Sequence, residues 1–539
     1  MEDPVKFERD WLPLVEKARK VQADSMVKEY MIPEDKLPSP DRLNVMGVPY
    51  EAGTMTDKEL QITETPGYKL VAQMSKGELT AKEVLIAFVK RATIAQQLLN
   101  CATEFMFDDA SARAEELDRY YSETGKTVGA MHGLPISVKE HLHIAGKVSA
   151  AGYVSYLAQE PAKEDFLHLS ILKKAGAVPF VRTNEPQSLL HIDSDNNIWG
   201  MVKNGNNLRL SAGGSSGGEG ALVGFHGSPV GLGSDIGGSI RVPAAFNGAY
   251  GFRPTGARVS GKGNTVAGAG QITIMCSYGP LTQSIEDIDL YMDTMTAGKP
   301  WINDVTLPIM PWKKPEVPSK MKIAVLWDDG IVAPTPPIQR GLKMVVEKLK
   351  SAGNEIVDME AIMAGDLVEA YCASLMADGG KCVVEALAES GEKWHELTKF
   401  AMSLGKPISA EEQWNMNHIR DVVRQAWHDK LNADGIDFIL CPIFMSVSPP
   451  QKQADYLMYS ALFNGLDMPS TVFPTGLFVD PAVDGWDGSH EARNDIEKTQ
   501  HAKYDAEYSV GAPIALQLVG RHFCDEDVIA GTKAIVSLL

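Results

Sequence analysis

The chain has 539 residues, of which 44% are hydrophobic and 22% are charged, as is usual for a globular protein. Its 51 Lys and Arg residues are outnumbered by 70 Asp and Glu residues, which gives a net charge of −19. This acidic balance argues against a nucleic acid or an anionic membrane as the main partner. We expect neither a secretory signal nor a membrane span, and therefore a cytoplasmic protein. Six scattered cysteines indicate reduced thiols.

The amino-terminal third alternates between helical and extended patterns. Apolar residues at helical spacing predict an amphipathic helix over 5–30, and prolines predict an irregular linker over 33–49. A capping box at Thr80–Glu83 opens a second helix, and a third is predicted over 108–121. The apolar run 134–138, which ends at a lysine, is typical of a buried strand.

Strand and helix patterns continue to alternate through the rest of the chain. The class is therefore α/β, and we expect one large mixed sheet covered by helices on both faces. The segment 479–508 is polar and acidic, so a long irregular excursion is expected there. The remaining predicted elements are strands over 178–181, 230–232, 323–327, 438–441 and 514–519, and helices over 171–175, 217–224, 284–295, 338–349 and 525–538.

Two glycine-rich segments, 213–220 and 233–241, are the most informative part of the chain. They place Ser215 and Ser239 24 residues apart, each flanked by glycines. Glycine raises the entropy cost of folding, so this density indicates sharp turns or a close approach of the backbone to a ligand. Serines held among free N–H groups are the components that acyl transfer needs, namely a nucleophile and an oxyanion hole.

A serine nucleophile requires a base, and neither glycine-rich segment contains a histidine. Lys139 is the alternative, because it ends the apolar run of the strand predicted just before it. Burial disfavours the charged ammonium form and lowers a lysine pKa from about 10.4 toward neutrality. A surface lysine at a strand end would be the ordinary interpretation of this position alone; the neighbouring glycine-rich segments favour a base.

With these segments in view, the chain resembles the amidase signature family of serine hydrolases, and within it the fungal acetamidase branch. The similarity covers about residues 70–300 and returns at Cys441-Pro442, 473–476 and 511–517. The resemblance implies Ser239 as nucleophile, Ser215 as bridging serine and Lys139 as base. It also implies an amidase catalytic domain over 69–539 with a signature core at about 130–260, preceded by a helical extension and linker over 1–68.

The resemblance further implies how the site is completed. Backbone N–H groups of Ile236, Gly237, Gly238 and Ser239 would form the oxyanion hole. Branched aliphatic side chains near the acyl pocket would suit a small or medium apolar acyl group, although core packing explains them equally well. The residues that we interpret as structural support are Asp235 and Arg241, as a buried ion pair, and Ser216, as a helix cap. Arg241 could instead bind the carboxylate of an acidic substrate, and Ser216 could instead be a second hydrogen-bond donor. The residues expected at the acyl pocket are Leu189, Leu190 and Ile192.

The expected activity is hydrolysis of small aliphatic or aromatic carboxamides to a carboxylate and ammonia or an amine, through a seryl acyl-enzyme. One alternative is the amidotransferase subunit of a tRNA transamidation complex. Another is an α/β-hydrolase esterase, because residues 213–217 also satisfy Gly-x-Ser-x-Gly. That reading would make Ser215 the nucleophile, with His418 or His522 as its base.

No cofactor and no metal site are expected. Glu140, His141 and His143 lie close together but lack the organised spacing of a zinc site. The glycines around 231–237 miss the dinucleotide fingerprint by one residue, and no phosphate-binding loop is present. The expected partner is a small-molecule amide, without nucleic acid or membrane, and a homodimer is left open.

Overall fold

A computed structural model describes residues 2–314, 316–488 and 490–539. Its strands are β1 Ala102–Phe105, β2 Pro135–Lys139, β3 Val178–Thr183, β4 Val230–Asp235, β5 Tyr250–Arg253, β6 Ser277–Thr282, β7 Lys322–Leu326, β8 Glu355–Met359, β9 Phe438–Pro442, β10 Ser470–Phe478 and β11 Pro513–Val519. Its helices are α1 Pro4–Lys6, α2 Leu12–Ser25, α3 Val48–Glu51, α4 Asp57–Thr63, α5 Gly67–Ser75, α6 Ala81–Leu99, α7 Phe107–Thr124, α8 Leu167–Lys174, α9 Gly217–Gly224, α10 Arg241–Asn247, α11 Ile285–Ala297, α12 Pro336–Ser351, α13 Ala364–Leu375, α14 Lys381–Ser390, α15 Glu396–Ser403, α16 Ala410–Ala433, α17 Met458–Gly465, α18 Asp495–His501 and α19 Asp525–Val536.

All 11 strands belong to one mixed sheet, in the order β1-β3-β2-β4-β6-β5-β10-β11-β9-β7-β8. The pairs β3–β2, β2–β4, β9–β7 and β7–β8 are parallel. The central strands from β4 to β9 pair antiparallel. Parallel neighbours require crossover connections, which the intervening helices supply.

Helices cover both faces of this sheet, as successive residues of β11 demonstrate. Leu516 belongs to the large apolar core that includes residues of α12 and α19. Its neighbour Gln517 points to the opposite face, where its amide receives a hydrogen bond from Arg241 of α10 at 3.1 Å. Because side chains alternate between the faces of a strand, this pattern shows two covered faces. The predicted fold class is confirmed.

The site is positioned by the parallel pair β2 and β4. Val138 of β2 lies opposite Leu232 of β4. Since parallel strands end at the same edge, Lys139 at the end of β2 and Asp235 at the end of β4 meet there. Both residues are fully buried. The two glycine-rich segments therefore meet beside the lysine.

The amino-terminal helix packs against the loops around this edge. Val15 of α2 is buried in a small cluster with Ala150, Val154 and Ile198. Arg19 adds a hydrogen bond of 2.6 Å from its Nε to the Ile198 carbonyl. The helix predicted over 5–30 is present in most of its length, with one wider π-helical turn at Phe7–Trp11. No helix of the described ranges has the length and apolarity to cross a bilayer.

The strands that the sequence patterns did not predict are polar or contain proline and glycine. They are β1, β5, β6, β8 and β10. In β6 a Gly279-Pro280 step lies inside the strand, and β10 contains Pro474 and Gly476. Strands β5, β6 and β10 hydrogen-bond to a neighbour on each side, and the edge strands β1 and β8 to one neighbour each. This pairing holds the segments extended despite residues of low strand propensity. The excursion at 479–508 is irregular as predicted, except that it contains α18.

The close packing of α9 yields a stability prediction. A methyl group on Gly218, the second residue of α9, would lie 2.4 Å from the Asn184 N atom and 2.5 Å from the Cys101 carbonyl oxygen. Backbone atoms cannot rotate away, so Gly218→Ala overpacks the core and lowers the apparent Tm by about 3 °C or more. Thermal unfolding followed by circular dichroism measures this shift.

Gly365→Ala is the matched control, because Gly365 is likewise the second residue of its helix, α13. No heavy atom lies within 4 Å of the added methyl there. The apparent Tm should stay the same or rise, since alanine favours a helix by about 1 kcal/mol over glycine. Equal Tm values for Gly218→Ala and the unmodified protein would contradict the packing described here.

Candidate active site

Lys139 is the centre of the site. Its Nζ donates a hydrogen bond to Ser215 Oγ at 2.7 Å and another to Ser234 Oγ at 3.1 Å. The lysine is fully buried, and the two serines are 2% and 6% exposed. The lysine that ends the strand predicted from the apolar run 134–138 thus contacts Ser215 of the first glycine-rich segment. Ser234, which precedes Asp235 in the second segment, was not singled out in the sequence.

The environment of this amine favours its neutral form. Burial lowers the pKa of Lys139 to about 8, although negative charge at Glu185 acts in the opposite direction. A lysine with such a pKa is partly deprotonated near neutral pH. The amine can therefore act as a proton acceptor, which an exposed lysine does poorly.

Two further carboxyl groups lie in the same buried region. Burial raises the pKa of Glu185 to about 7 and the pKa of Glu219 to about 8. Glu219 accepts hydrogen bonds from the Ser137 hydroxyl at 2.5 Å and the Thr183 hydroxyl at 2.7 Å. Because these carboxyls are easily protonated, they offset the charge of Lys139 less than ionised carboxylates would. Glu185 and Glu219 were not singled out in the sequence, although Glu219 lies within the first glycine-rich segment.

His141 pairs with one of these carboxyls. Its Nδ1 lies 2.7 Å from Glu185 Oε2, and burial lowers its pKa well below the usual value. Glu140 is instead paired with Arg182 at 2.9 Å, and His143 with the Thr265 hydroxyl at 2.9 Å. Glu140, His141 and His143 therefore contact three different partners.

The loop that carries Ser215 is fixed by its own backbone. The Gly214–Ser215 peptide bond is cis. The N–H of Ser216 donates to the Ser239 carbonyl at 3.1 Å, which ties the two glycine-rich segments together. Ser216 stands immediately before α9, but its hydroxyl makes no capping hydrogen bond and points to the Ser234 carbonyl at 3.4 Å. The capping role predicted for its side chain is wrong, because the hydroxyl bridges to β4 instead.

The ion pair predicted between Asp235 and Arg241 is present and buried. Arg241 Nε lies 3.0 Å from Asp235 Oδ2, and both side chains are fully buried. Burial would raise the pKa of Asp235, but the adjacent Arg241 charge outweighs this effect and holds the pKa well below its ordinary value. Arg241 also donates to Gln517, Ser460 and Asn464, so its donors are occupied by the protein. The pair is a structural clamp and leaves no free guanidinium for a substrate carboxylate.

This clamp shapes the turn from Ile236 to Ser239. Asp235 Oδ1 accepts the N–H of Gly238 at 2.8 Å. Among the described residues, the N–H groups of Ile236, Gly237 and Ser239 have no protein acceptor. The Ile236 carbonyl accepts the Tyr371 hydroxyl at 3.1 Å. The Ile236 carbonyl is thus bound to the protein, and the N–H groups of Ile236, Gly237 and Ser239 are available to bind an oxyanion.

The prediction for Gly238 as an oxyanion donor is wrong in this structure, because its N–H is already used by Asp235. Gly238 is required for a different reason. Its φ is +123°, and a Cβ there would lie 2.5 Å from Ser460 Oγ. Gly237 also has no room for a side chain, because a Cβ at that position would lie 2.6 Å from the Tyr371 hydroxyl. The glycines allow the turn to pack under two hydroxyl groups.

Two connected cavities open at Ser239 and Ile236. The larger has a volume of about 730 Å³ and is also lined by Ser215, Ser234 and His141. The smaller, of about 40 Å³, is lined mainly by apolar side chains and includes Tyr371. Serines of both glycine-rich segments therefore line the larger cavity.

The three residues predicted for the acyl pocket line these cavities. Leu189 and Leu190 border both cavities, and Ile192 borders the smaller one. Ser188 and Leu189 adopt φ values of +67° and +61°, which is uncommon for residues other than glycine. This backbone presents the leucines to the cavity. Sequence reasoning missed Tyr371, Leu375 and Met376 on the opposite wall, since α13 is far away in the chain.

The α/β-hydrolase alternative requires a histidine base within hydrogen-bond distance of Ser215, and the structure places neither proposed histidine there. The hydrogen-bond partner of Ser215 Oγ is Lys139. His522 Nδ1 lies 2.8 Å from the Asp467 carbonyl, and His418 belongs to the outer helix α16. No strand precedes Ser215 directly, as a nucleophile elbow requires.

The model of the amidase family matches residues 83–529. The chain is 36% identical to an acetamidase of Emericella nidulans over 98% of both chains. It is 35% identical to an acetamidase of Aspergillus oryzae, over 92% of this chain and 93% of the relative.

Solved structures give the same result. A structure of a fatty acid amide hydrolase superposes with a TM-score of 0.97 at 40% identity, covering 100% of this chain and 96% of that one. A bacterial aryl acylamidase shares the fold with a TM-score of 0.72 at 19% identity, covering 89% of this chain and 97% of that one.

The buried lysine, the tied glycine-rich segments and these relatives together define an enzyme that hydrolyses amide bonds. The chain belongs to the amidase family. The family resemblance read from residues 133–139 and the two glycine-rich segments is confirmed.

Proposed function

We propose that this enzyme hydrolyses carboxamides through a seryl acyl-enzyme, with Ser239 as nucleophile, Ser215 as bridging serine and Lys139 as base. The observation that carries the proposal is the 2.7 Å hydrogen bond between Lys139 Nζ and Ser215 Oγ inside a fully buried site. A hydroxyl can accept one proton while donating another, so Ser215 relays a proton from Ser239 to the amine. The same path returns the proton to the leaving amine.

The tetrahedral intermediate would place its oxyanion at the turn after β4. The N–H groups of Ile236, Gly237 and Ser239 are the donors that this assignment uses. Each aligned donor contributes a few kcal/mol, about 2.7–4 kcal/mol in a comparable oxyanion hole. The Asp235–Arg241 clamp supports this role because it fixes the turn without entering the cavity.

The acyl group of the substrate would be apolar and larger than acetyl. A cavity of about 730 Å³ lies in the range of drug-sized ligands. Its wall includes Leu189, Leu375 and Val383, which offer apolar contacts to an alkyl or aryl chain. Acetamide would leave most of this volume unused. We therefore infer medium-chain aliphatic and aryl amides as the preferred substrates.

Removing the nucleophile tests the assignment directly. Ser239→Ala should reduce kcat for amide hydrolysis by about 10⁵–10⁶-fold, because no other group forms the acyl-enzyme. A fluorophosphonate probe should label the unmodified enzyme at Ser239 and fail to label this variant. Ser390→Ala, which changes an equally buried serine at the end of α14, is the control and should keep full activity. Substantial turnover by Ser239→Ala would refute the assignment.

The lysine base sets the pH dependence. Since the pKa of Lys139 is lowered to about 8 by burial, the neutral amine becomes dominant as the pH rises through that value. We expect kcat/KM to increase from pH 6.5 and to level off above about pH 8.5. Glu185 and Glu219 titrate nearby, so the observed midpoint belongs to the whole cluster. A flat profile between pH 6 and 9 would argue against a titrating lysine.

The substrate class is tested by a chain-length series from acetamide to octanamide, with benzamide and anilides. Each buried methylene contributes roughly 0.8 kcal/mol, so kcat/KM should rise about fourfold per carbon until the cavity is filled. Val383→Ser should reduce kcat/KM for octanamide and leave acetamide unchanged. Its neighbour Val384 is absent from the cavity wall, and Val384→Ser serves as the control. A preference for acetamide would overturn this substrate class.

A further inference from the structure

The segment 490–501 brings two histidines and a glutamate together, far from the serines of the active site in the sequence. Each of His490, Glu497 and His501 offers one ligand atom, and these atoms lie within 4.8 Å of one another. Glu497 and His501 are four residues apart on α18, so they share one face of that helix. No pattern in the sequence singled out this group.

The orientation of His501 is the second observation. Its Nε2 lies 2.7 Å from the Ala333 carbonyl oxygen, which can only accept, so Nε2 carries the proton. The lone pair is therefore on Nδ1, and this atom is buried without a hydrogen-bond partner. His501 as a whole is 8% exposed. Metal-binding histidines commonly donate their other N–H to a backbone carbonyl in this manner, which orients the ring.

Glu497 is held as firmly. Its Oε1 accepts the N–H of Ala333 at 2.7 Å and Arg493 Nε at 3.0 Å. Its Oε2 accepts the N–H of Arg493 at 2.5 Å and lies 3.8 Å from His490 Nε2. The residue is fully buried. A carboxylate oxygen has a second lone pair, so Oε2 keeps one for a metal ion.

His490 completes the group from a partly exposed position. Its ring stacks on Trp486 at 5.3 Å, and Trp486 also packs 4.7 Å from the His501 ring. The His490 side chain is 29% exposed and can rotate, whereas the other two are buried. Tetrahedral coordination at about 2.0–2.1 Å needs donor atoms roughly 3.4 Å apart, so the three ligand atoms, which lie within 4.8 Å of one another, would draw together on binding an ion.

We propose that His490, Glu497 and His501 bind one Zn²⁺ ion, or a similar divalent transition metal, with water completing the coordination. Two imidazoles and a carboxylate are ligands that zinc accepts. Glu497 and His501 already hydrogen-bond the backbone of Ala333 in the loop before α12, so the ion would hold His490 to the helix that contacts this loop. The role is structural, since Lys139, Ser215 and Ser239 take no part in it.

The test uses the full-length, tag-free enzyme after dialysis against EDTA. Calorimetric titration with Zn²⁺ should show one ion per chain, and Co²⁺ should produce visible absorption bands. His490→Ala should weaken Zn²⁺ binding by about 100-fold and remove the Co²⁺ bands. Zn²⁺ should raise the Tm of the unmodified enzyme, because it binds the native state, and should not raise that of His490→Ala.

His428→Ala is the matched control, since His428 is an exposed histidine on α16. This variant should bind Zn²⁺ as the unmodified enzyme does. Glu497→Gln keeps the side-chain shape and should also lose the ion; where it fails to fold, His490→Ala alone decides. Unchanged Zn²⁺ affinity in His490→Ala, or no stoichiometric binding to the unmodified enzyme, overturns the proposal. Amidase activity does not enter this test, so its outcome is independent of the proposed reaction.

Discussion

The structure depends on the burial of one amine at the end of strand β2. Lys139 has no access to water, and its Nζ is satisfied by the hydroxyls of Ser215 and Ser234. A charged ammonium in this position would be costly without a full set of partners, so the pKa falls toward the neutral range. The surrounding residues bury the lysine, while the larger cavity reaches Ser215, Ser234 and Ser239.

Two structural features, the close packing of α9 and the Asp235–Arg241 ion pair, maintain this environment without involving Lys139, Ser215 or Ser239. Gly218 lets α9 lie against the backbone of Asn184 and Cys101, which packs this helix closely behind Ser215. The Asp235–Arg241 pair is buried with all its main donors and acceptors matched, so it fixes the turn before Ser239. The charged pair Asp235–Arg241 thus holds the backbone of the turn, whereas serine hydroxyls and easily protonated carboxyl groups surround the Lys139 amine.

The parts that could be predicted from the sequence are those with local signals. The apolar run before Lys139 and the glycine patterns around Ser215 and Ser239 identified the edge of the sheet where the site lies. Strands such as β6 were missed because their extended form comes from pairing with β4 and β5 and not from propensity. The use of the Gly238 N–H by Asp235 was also beyond the sequence, since it depends on how one turn folds over one carboxylate.

Contacts between distant segments explain most of what remained hidden. Tyr371 reaches the turn at Ile236 from α13, and Ser460 reaches Gly237 from α17, each more than 130 residues away. The same α17 carries Tyr459, whose hydroxyl donates to the Val332 carbonyl in the loop that also holds Glu497 and His501 through Ala333. The late excursion of the chain is thus connected through hydrogen bonds to α17, the helix that contacts the turn between Ile236 and Ser239.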